Sequence, residues 1–251
     1  MHDNRMTTEI LTIDKGQCLT DVLPAIPANT IFDKTITGCG ATHSEIVNAA
    51  RHSIIIEPNI PVILGKKAEH PFLFAVYEGI TKEDVKAYLA GEHDGYRKII
   101  TTPEGFDKKV LPAMHELEIP VYKDYFLLFD ECEKAIQDVG YRGDIYLPVE
   151  DFFKFENKAM VSATPIVPSD PRFEENGFKI LKLVPTYDSR IELTLCTTNN
   201  TVAVMRKLLK RLENETVCVT DPFHIKTLFF RIGSVPLVLG PFCTEFYSLN
   251  D

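Results

Sequence analysis

The sequence lacks any close pair of cysteines. Its six cysteines are spread along the chain, and the nearest two, Cys18 and Cys39, are 21 positions apart. Zinc sites and dithiol redox motifs need closely spaced cysteines. The seven histidines also show no i, i+4 pair of the kind that ligates zinc on a helix. We therefore expect reduced, mostly buried thiols and no zinc site.

Long apolar runs and an excess of positive charge are absent too. No stretch approaches the roughly 18 apolar residues of a membrane span, and the first 11 residues lack the apolar core of a signal peptide. These absences predict a cytoplasmic protein with no membrane contact. Because 27 basic residues face 36 acidic ones, the net charge is −9, so any contact with nucleic acid must be local.

The composition that remains, 45% hydrophobic and 25% charged over 251 residues, is that of a globular protein. Short apolar segments alternate with helical patterns, which predicts an α/β fold with a mainly parallel sheet flanked by helices. Strands are predicted at residues 30–36, 53–57, 71–77, 98–101, 125–129, 158–162 and 178–184. Helices are predicted at residues 42–51, at 82–90 between the N-cap Thr81 and Gly91, and at 106–117, where Pro112 kinks or shortens the helix.

A proline-rich stretch follows residue 162, and the alternation restarts beyond it. We predict a first domain over residues 1–185, a linker over 186–197 and a partial second domain over 198–251. In the second domain the pattern indicates helices at 201–212 and 224–231 and strands near 217–219 and 236–239.

A glycine-containing loop stands between the first of these strands and the helix that follows it. Its two glycines allow backbone N–H groups to point at phosphate oxygens, and its last hydroxyl suits Mg²⁺. The candidate nucleotide-binding residues are Thr37, Gly38, Cys39, Gly40, Ala41 and Thr42. A Gly-x-Gly turn between a strand and a helix is also ordinary turn chemistry, so the loop alone leaves both interpretations open.

Two adjacent carboxylates, Asp130 and Glu131, follow the apolar segment YFLLF. An Asp at the end of a buried strand can hold Mg²⁺ through water, and the next Glu can orient or deprotonate an attacking water. The alternative is an acidic first turn of a helix, which the helix dipole favours. If the loop and this pair form one site, we expect them on adjacent strands at one edge of the sheet.

The order of these elements resembles a known family. Gln17, TGCGAT, SIIIEPN, ITTPE, FDECE and VSATP are similar to the Q motif and motifs I, Ia, Ib, II and III of the superfamily 2 DEAD-like helicases and translocases. The likeness covers residues from about 17 to 165, the first of two RecA-like domains in that family. It implies a RecA-like P-loop NTPase fold, ATP and Mg²⁺ as cofactors, and RNA or DNA as the partner.

The resemblance also implies roles for individual residues. Gln17 would contact the adenine, Thr42 and Asp130 would hold Mg²⁺, and Asp130 and Glu131 would be catalytic. Contacts to the nucleic-acid backbone would come from Pro58, Asn59, Thr101, Thr102 and Pro103. Coupling between the nucleotide and the nucleic acid would come from Ser162 and Thr164.

Three departures from the family pattern bear on activity. Ala41 replaces the lysine that neutralises the β- and γ-phosphates, Glu133 replaces the usual His, Asp or Gln of the second motif, and no Arg-rich motif of a second domain precedes Asp251. We expect a helicase-like protein for ATP-dependent remodelling or unwinding, with weak or absent hydrolysis and a protein partner that supplies the missing functions. The alternatives are a catalytically inactive RecA-like binding module for protein or nucleic acid, or a different α/β enzyme.

Two other cations stand near the loop in the sequence. Lys34 precedes Gly38 by four residues, and His43 follows Thr42 directly. The sequence favours an ordinary lysine at the edge or end of the sheet for the first and a solvent-facing side chain for the second. If Ala41 alone limits affinity, the substitution Ala41→Lys should tighten ATP binding about tenfold or more.

Overall fold

The computed structural model describes residues 6–36, 38–132, 149–163 and 170–189, together with the backbone of three strands between residues 216 and 239. The chain divides into two units, Met1–Ser189 and Arg190–Asp251. The assignment of residues 198–251 to a second RecA-like domain stays a prediction.

The first unit alternates strands and helices along most of its length. Its strands are β1 (Thr8–Ile13), β2 (Thr30–Asp33), β3 (His52–Ile56), β4 (Phe74–Val76), β5 (Lys98–Thr101), β6 (Tyr125–Asp130), β7 (Asn157–Ser162) and β8 (Lys179–Pro185). Its helices are α1 (Leu19–Val22), α2 (Ala41–Val47), α3 (Ile60–Glu69), α4 (Lys82–Ala90), α5 (Pro103–Gly105), α6 (Leu111–Glu116), α7 (Val121–Asp124), α8 (Val149–Lys154) and α9 (Arg172–Glu175).

The eight strands form one sheet in the order β1-β8-β2-β7-β6-β3-β5-β4, and every pairing in it is parallel. The predicted α/β class with a parallel sheet flanked by helices is therefore confirmed. The expectation that the glycine loop and the acidic pair follow adjacent strands is wrong, because β7 lies between β2 and β6. All the strands still end at the same edge, which brings distant residues together there.

Both faces of the sheet are covered, which explains the continuously apolar strands. Side chains alternate along β3, so that Ile54 and Ile56 pack into one buried cluster and Ile55 into another. The first cluster also contains side chains of α4, α6 and α7. The second contains side chains of α1, α2 and α3. The core is thus two apolar layers separated by the sheet.

The helical segment from Pro103 to Glu116 is wider in its middle. Between α5 and α6, residues Phe106–Val110 form a π-helical turn, and the N–H of Leu111 donates to the carbonyl of Phe106. The turn ends two residues before Pro112, which lacks the N–H of a regular helical bond. The helix over residues 82–90 is confirmed with its predicted ends.

Among the described residues, no helix is long and apolar enough to cross a membrane.

In the second unit, the described strands are β9 (Thr216–Asp221), β10 (Lys226–Arg231) and β11 (Val238–Leu239), paired antiparallel in the order β11-β10-β9. The helix predicted at residues 224–231 is wrong, because most of that segment is β10. Its sequence KTLFFR is rich in β-branched and aromatic residues, which favour strands. The helix predicted at residues 201–212 lies outside the described residues.

Candidate functional site

The glycine loop connects the end of β2 to the start of α2. Gly38 and Gly40 have φ angles of 74° and 91°, in the left-handed region that glycine adopts without strain. A Cβ atom at either position would meet no heavy atom within 4 Å. Glycine is therefore required here by backbone conformation and not by lack of space.

The loop is joined to the acidic strand through Thr42. Its hydroxyl donates to Oδ2 of Asp130, the last residue of β6. Asp130 is only 2% exposed, although it stands at the end of its strand. The structure thus brings together the two residues that the sequence assigned to a metal ion.

Lys34 lies in the same cluster. Its Nζ is 3.2 Å from Oδ1 of Asp130 and 2.6 Å from Oε1 of Glu131, and the residue is 8% exposed. Burial alone would lower the pKa of Lys34, but the charge of Asp130 and the hydrogen bond to Glu131 outweigh it, so its pKa is raised. Lys34 does stand at the end of a strand, as the sequence favoured, but it is buried and its ammonium joins both carboxylates.

Glu57 is a member of this region that the sequence analysis did not single out. It directly follows β3 and is 2% exposed, and its Oε1 accepts hydrogen bonds of 2.9 Å from the backbone N–H and the side-chain amide of Asn59. Burial and the nearby charge of Asp130 raise the pKa of Glu57 to about 7. It follows a buried apolar strand just as Asp130 does, so the same rule would have found it.

The segment after Gln17 contacts the glycine loop. The N–H of Leu19 donates to the carbonyl of Cys39 over 3.0 Å. The side chain of Gln17 itself is exposed, and its Oε1 accepts from the N–H of Asp14. Contact between Gln17 and an adenine ring stays a prediction, with the segment in a suitable place beside the loop.

Two further loop positions are packed inward. Ala41 is 4% exposed and Cys39 is 7% exposed, and both belong to the apolar cluster beneath the loop. Burial raises the pKa of the Cys39 thiol. Two residues after Ala41, Nδ1 of His43 lies 3.2 Å from Nε2 of His70. The His43 ring is therefore partnered by a second imidazole.

The residues predicted to grip nucleic acid lie at the ends of β3 and β5. Pro58 is half-buried, and Asn59 precedes α3 as its N-cap. Thr101, Thr102 and Pro103 are buried. The Thr101 hydroxyl donates to the carbonyl of Thr102 over 3.2 Å. These polar groups bond within the protein, and their contact with nucleic acid stays a prediction.

Ser162 ends β7 beside the loop strand. It is fully buried, pairs with Asp33, and its carbonyl accepts the N–H of Lys34 over 2.9 Å. Thr37, Glu133 and Thr164 lie outside the described residues.

Comparison with known proteins gives a distant structural likeness. No family model matches the sequence, and no curated protein matches it significantly. Among solved structures, the Hef helicase domain of Pyrococcus furiosus is similar, with 13% sequence identity and a TM-score of 0.38. The match covers 72% of this chain and 35% of the other, so this chain spans about a third of that solved chain. A likeness this distant leaves the function to be inferred from the site.

Proposed function

We propose that the first unit binds ATP with Mg²⁺ at the carboxyl edge of its sheet, as a helicase-like protein acting on nucleic acid. The observation that carries the proposal is the bond from the Thr42 hydroxyl to Asp130, which ties the glycine loop to the acidic strand. A hydroxyl at the start of the helix after such a loop and an Asp at the end of a parallel strand are the protein groups a nucleotide-bound Mg²⁺ uses.

The donor set suits a hard cation. Mg²⁺ prefers oxygen ligands and is usually held by one or two protein groups together with phosphates and waters. Thr42 and Asp130 supply two oxygens already in contact. Among the described residues, no group of three or more His, Cys, Asp or Glu side chains is arranged to hold a metal ion by itself. When bound, the ion would neutralise phosphate charge.

The other groups have distinct tasks in this proposal. The backbone N–H groups of the glycine loop bind phosphate oxygens, since Gly38 and Gly40 hold the loop in left-handed conformations. Glu131 stands next to Asp130 as the group that would orient water. Oε1 of Glu131 binds Nζ of Lys34, so Glu131 would have to leave this ion pair to orient water.

A second candidate function is a nucleotide-binding module that does not hydrolyse ATP. It is favoured by Ala41 at the position of the loop lysine and by the engagement of Glu131 with Lys34. This candidate shares the binding site and differs only in turnover, so binding and hydrolysis must be measured separately.

The proposed action on nucleic acid rests on the family resemblance and on the location of residues 58–59 and 101–103 at the same sheet edge. Because the net charge is −9, affinity must come from local amide, hydroxyl and backbone N–H contacts. Fluorescence anisotropy with labelled single-stranded RNA and DNA, each with and without ATP and Mg²⁺, tests this. If the affinities for RNA and for DNA are both the same with and without nucleotide, a helicase-like function is contradicted.

The experiment that tests nucleotide binding is a thermal-shift titration with ATP and ADP, with and without Mg²⁺. A ligand at 100 times its Kd stabilises the native state by about 2.7 kcal/mol. We expect Asp130→Asn to remove the Mg²⁺-dependent part of the shift. The matched control is Asp107→Asn, because Asp107 is exposed in the π-helical turn. No shift at millimolar nucleotide would overturn the proposal.

A further inference from the structure

Lys34 occupies a position that its place in the sequence does not suggest. It comes directly after the last residue of β2, four residues before Gly38. Its N–H donates to the carbonyl of Ser162, which extends the pairing of β2 with β7 by one bond. The base of the side chain is therefore fixed by the sheet and not by the loop.

The backbone turns sharply just after Lys34. Thr35 has a φ angle of 42°, a conformation that is strained for a β-branched residue. Its hydroxyl donates to the carbonyl of Leu183 on β8 over 2.5 Å, and its N–H donates to Oδ1 of Asp33. These bonds hold the turn, so the path of the chain from Lys34 into the glycine loop is maintained against local strain.

The ammonium and the Thr42 hydroxyl flank one carboxylate. Nζ of Lys34 binds Oδ1 of Asp130, and the Thr42 hydroxyl binds Oδ2 of the same residue. In the family pattern the phosphate-binding lysine immediately precedes the metal-binding hydroxyl. Here the cation comes from a residue earlier in the chain but binds the same carboxylate as that hydroxyl.

The position of the family's lysine offers little space. Ala41 is 4% exposed and packs in the apolar cluster beneath the loop. A lysine at this position would have to leave that cluster. Meanwhile Asp130, Glu131 and Glu57 gather three carboxylates at the strand ends. A polyanionic ligand entering this region needs a cation to offset the repulsion.

We infer that Lys34 replaces the missing loop lysine and binds the β- and γ-phosphates of the nucleotide. This inference rests on the proposed function, because it assigns a further residue to the same site. In the structure the ammonium is held by Asp130 and Glu131. When the nucleotide binds, phosphate oxygens take the place of one carboxylate partner, and Glu131 is released from the ion pair.

The test compares ligands with and without phosphates. Isothermal titration calorimetry with ATP, ADP and adenosine is performed on the wild type, Lys34→Met and Lys34→Arg. We expect Lys34→Met to weaken ATP and ADP binding tenfold or more and to leave adenosine binding unchanged. Lys34→Arg keeps the charge and should lose less affinity for ATP.

A matched control comes from Lys98, which is also a buried lysine with a glutamate partner. Its Nζ lies 3.5 Å from Glu45 and 2.8 Å from Ser53, at the first residue of β5 and hence at the opposite edge of the sheet. Lys98→Met likewise removes a lysine side chain that is buried beside a glutamate. It should leave the affinity of the folded protein for all three ligands unchanged.

A second pair of variants covers the case in which Lys34→Met fails to fold. Glu131→Gln removes one carboxylate partner, so Glu131→Gln/Lys34→Met leaves fewer unpaired buried charges than Lys34→Met alone. We expect the double variant to bind ATP tenfold or more weakly than Glu131→Gln, again without a change for adenosine.

The outcomes separate the two proposals. ATP binding that survives Lys34→Met at the wild-type affinity would overturn the role of Lys34 and leave the nucleotide site standing. Absence of ATP binding by the wild type would overturn both. We also expect no gain from Ala41→Lys, and a tenfold gain would show that the phosphates lack a cation in the wild type.

Discussion

Thr42 donates a hydrogen bond to Asp130 although 88 positions separate them in the sequence. Neither residue could make this contact without the parallel sheet, in which only β7 separates β6 from β2, the strand that leads into the glycine loop. The loop and the end of the acidic strand are therefore joined directly by this bond.

Substitution of Thr42 by Val should weaken nucleotide binding only when Mg²⁺ is present. Valine has nearly the shape of threonine but lacks the oxygen that contacts Asp130. We expect a loss of tenfold or more in ATP affinity with Mg²⁺, about 1.4 kcal/mol, and little change in EDTA. Titration calorimetry in both buffers measures this. Thr12→Val, on the exposed part of β1, is the control, and an equal loss in both buffers would contradict a role in metal binding.

Glu57 should make stability fall as the pH rises. Its pKa is raised from 4.5 to about 7, so between these values the folded protein holds a proton that the unfolded chain has released. The free energy of unfolding therefore decreases across this range, by about 3 kcal/mol for this group at most. Glu57→Gln removes the titration while keeping an oxygen for Asn59.

Urea unfolding at pH 5 and pH 7.5 checks this expectation. The wild type should lose more stability than Glu57→Gln between the two pH values. Glu78→Gln, at an exposed position, should behave as the wild type. If wild type and Glu57→Gln lose the same amount, Glu57 does not titrate in this range.

Gly105 should tolerate no larger residue. A Cβ atom there would lie 2.5 Å from Oγ1 of Thr101 and 3.2 Å from the carbonyl oxygen of Val76. Relief requires movement of β5 or of the neighbouring backbone, so we expect Gly105→Ala to lower the free energy of unfolding by about 1–3 kcal/mol.

The control for this substitution is Gly65→Ala within α3. A Cβ atom at Gly65 meets nothing within 4 Å, and alanine favours the helix by about 1 kcal/mol over glycine. Urea denaturation should show opposite signs for the two substitutions. Equal effects would mean that the crowding around Gly105 is relieved at no cost.

ATP hydrolysis by the isolated 251-residue chain should be at or near background, with or without nucleic acid. Phosphoryl transfer depends on positioned charges and a positioned water, and Glu131 is engaged by Lys34. Phosphate-release assays with wild type and Glu131→Gln should give the same low rate. Hydrolysis at an ordinary enzymatic rate that Glu131→Gln abolishes would contradict this prediction.

The sequence predicted elements whose signals are local. Helix α4 has both predicted ends because Thr81 and Gly91 flank it directly, and the Thr81 hydroxyl accepts from the N–H of Asp84. Helix α3 was not predicted, since Pro61 and Gly65 interrupt its pattern. The order of the strands depends on long-range pairing that no local pattern encodes, which is why the adjacency of β2 and β6 was wrong.

The candidate site, like the fold, was predicted in part. The rule that ligands bind at the carboxyl ends of parallel strands selected Thr42 and Asp130, and these residues are in contact. The buried ion pairs of Lys34 could not be predicted, because its partners Asp130 and Glu131 lie 96 and 97 positions further along the chain. Glu57 was not singled out because no second acidic residue stands next to it in the sequence.

The left-handed backbone at Thr35 and Glu131 has a consequence for engineering. Both residues adopt positive φ angles, 42° and 50°, which glycine or asparagine would adopt with less strain. Selection for thermal stability alone should therefore favour Gly or Asn at these positions. Such variants would lose the bond from the Thr35 hydroxyl to Leu183, which holds the turn that leads into the glycine loop, or the carboxylate of Glu131 that pairs with Lys34. Their gain in melting temperature would therefore come with weaker nucleotide binding.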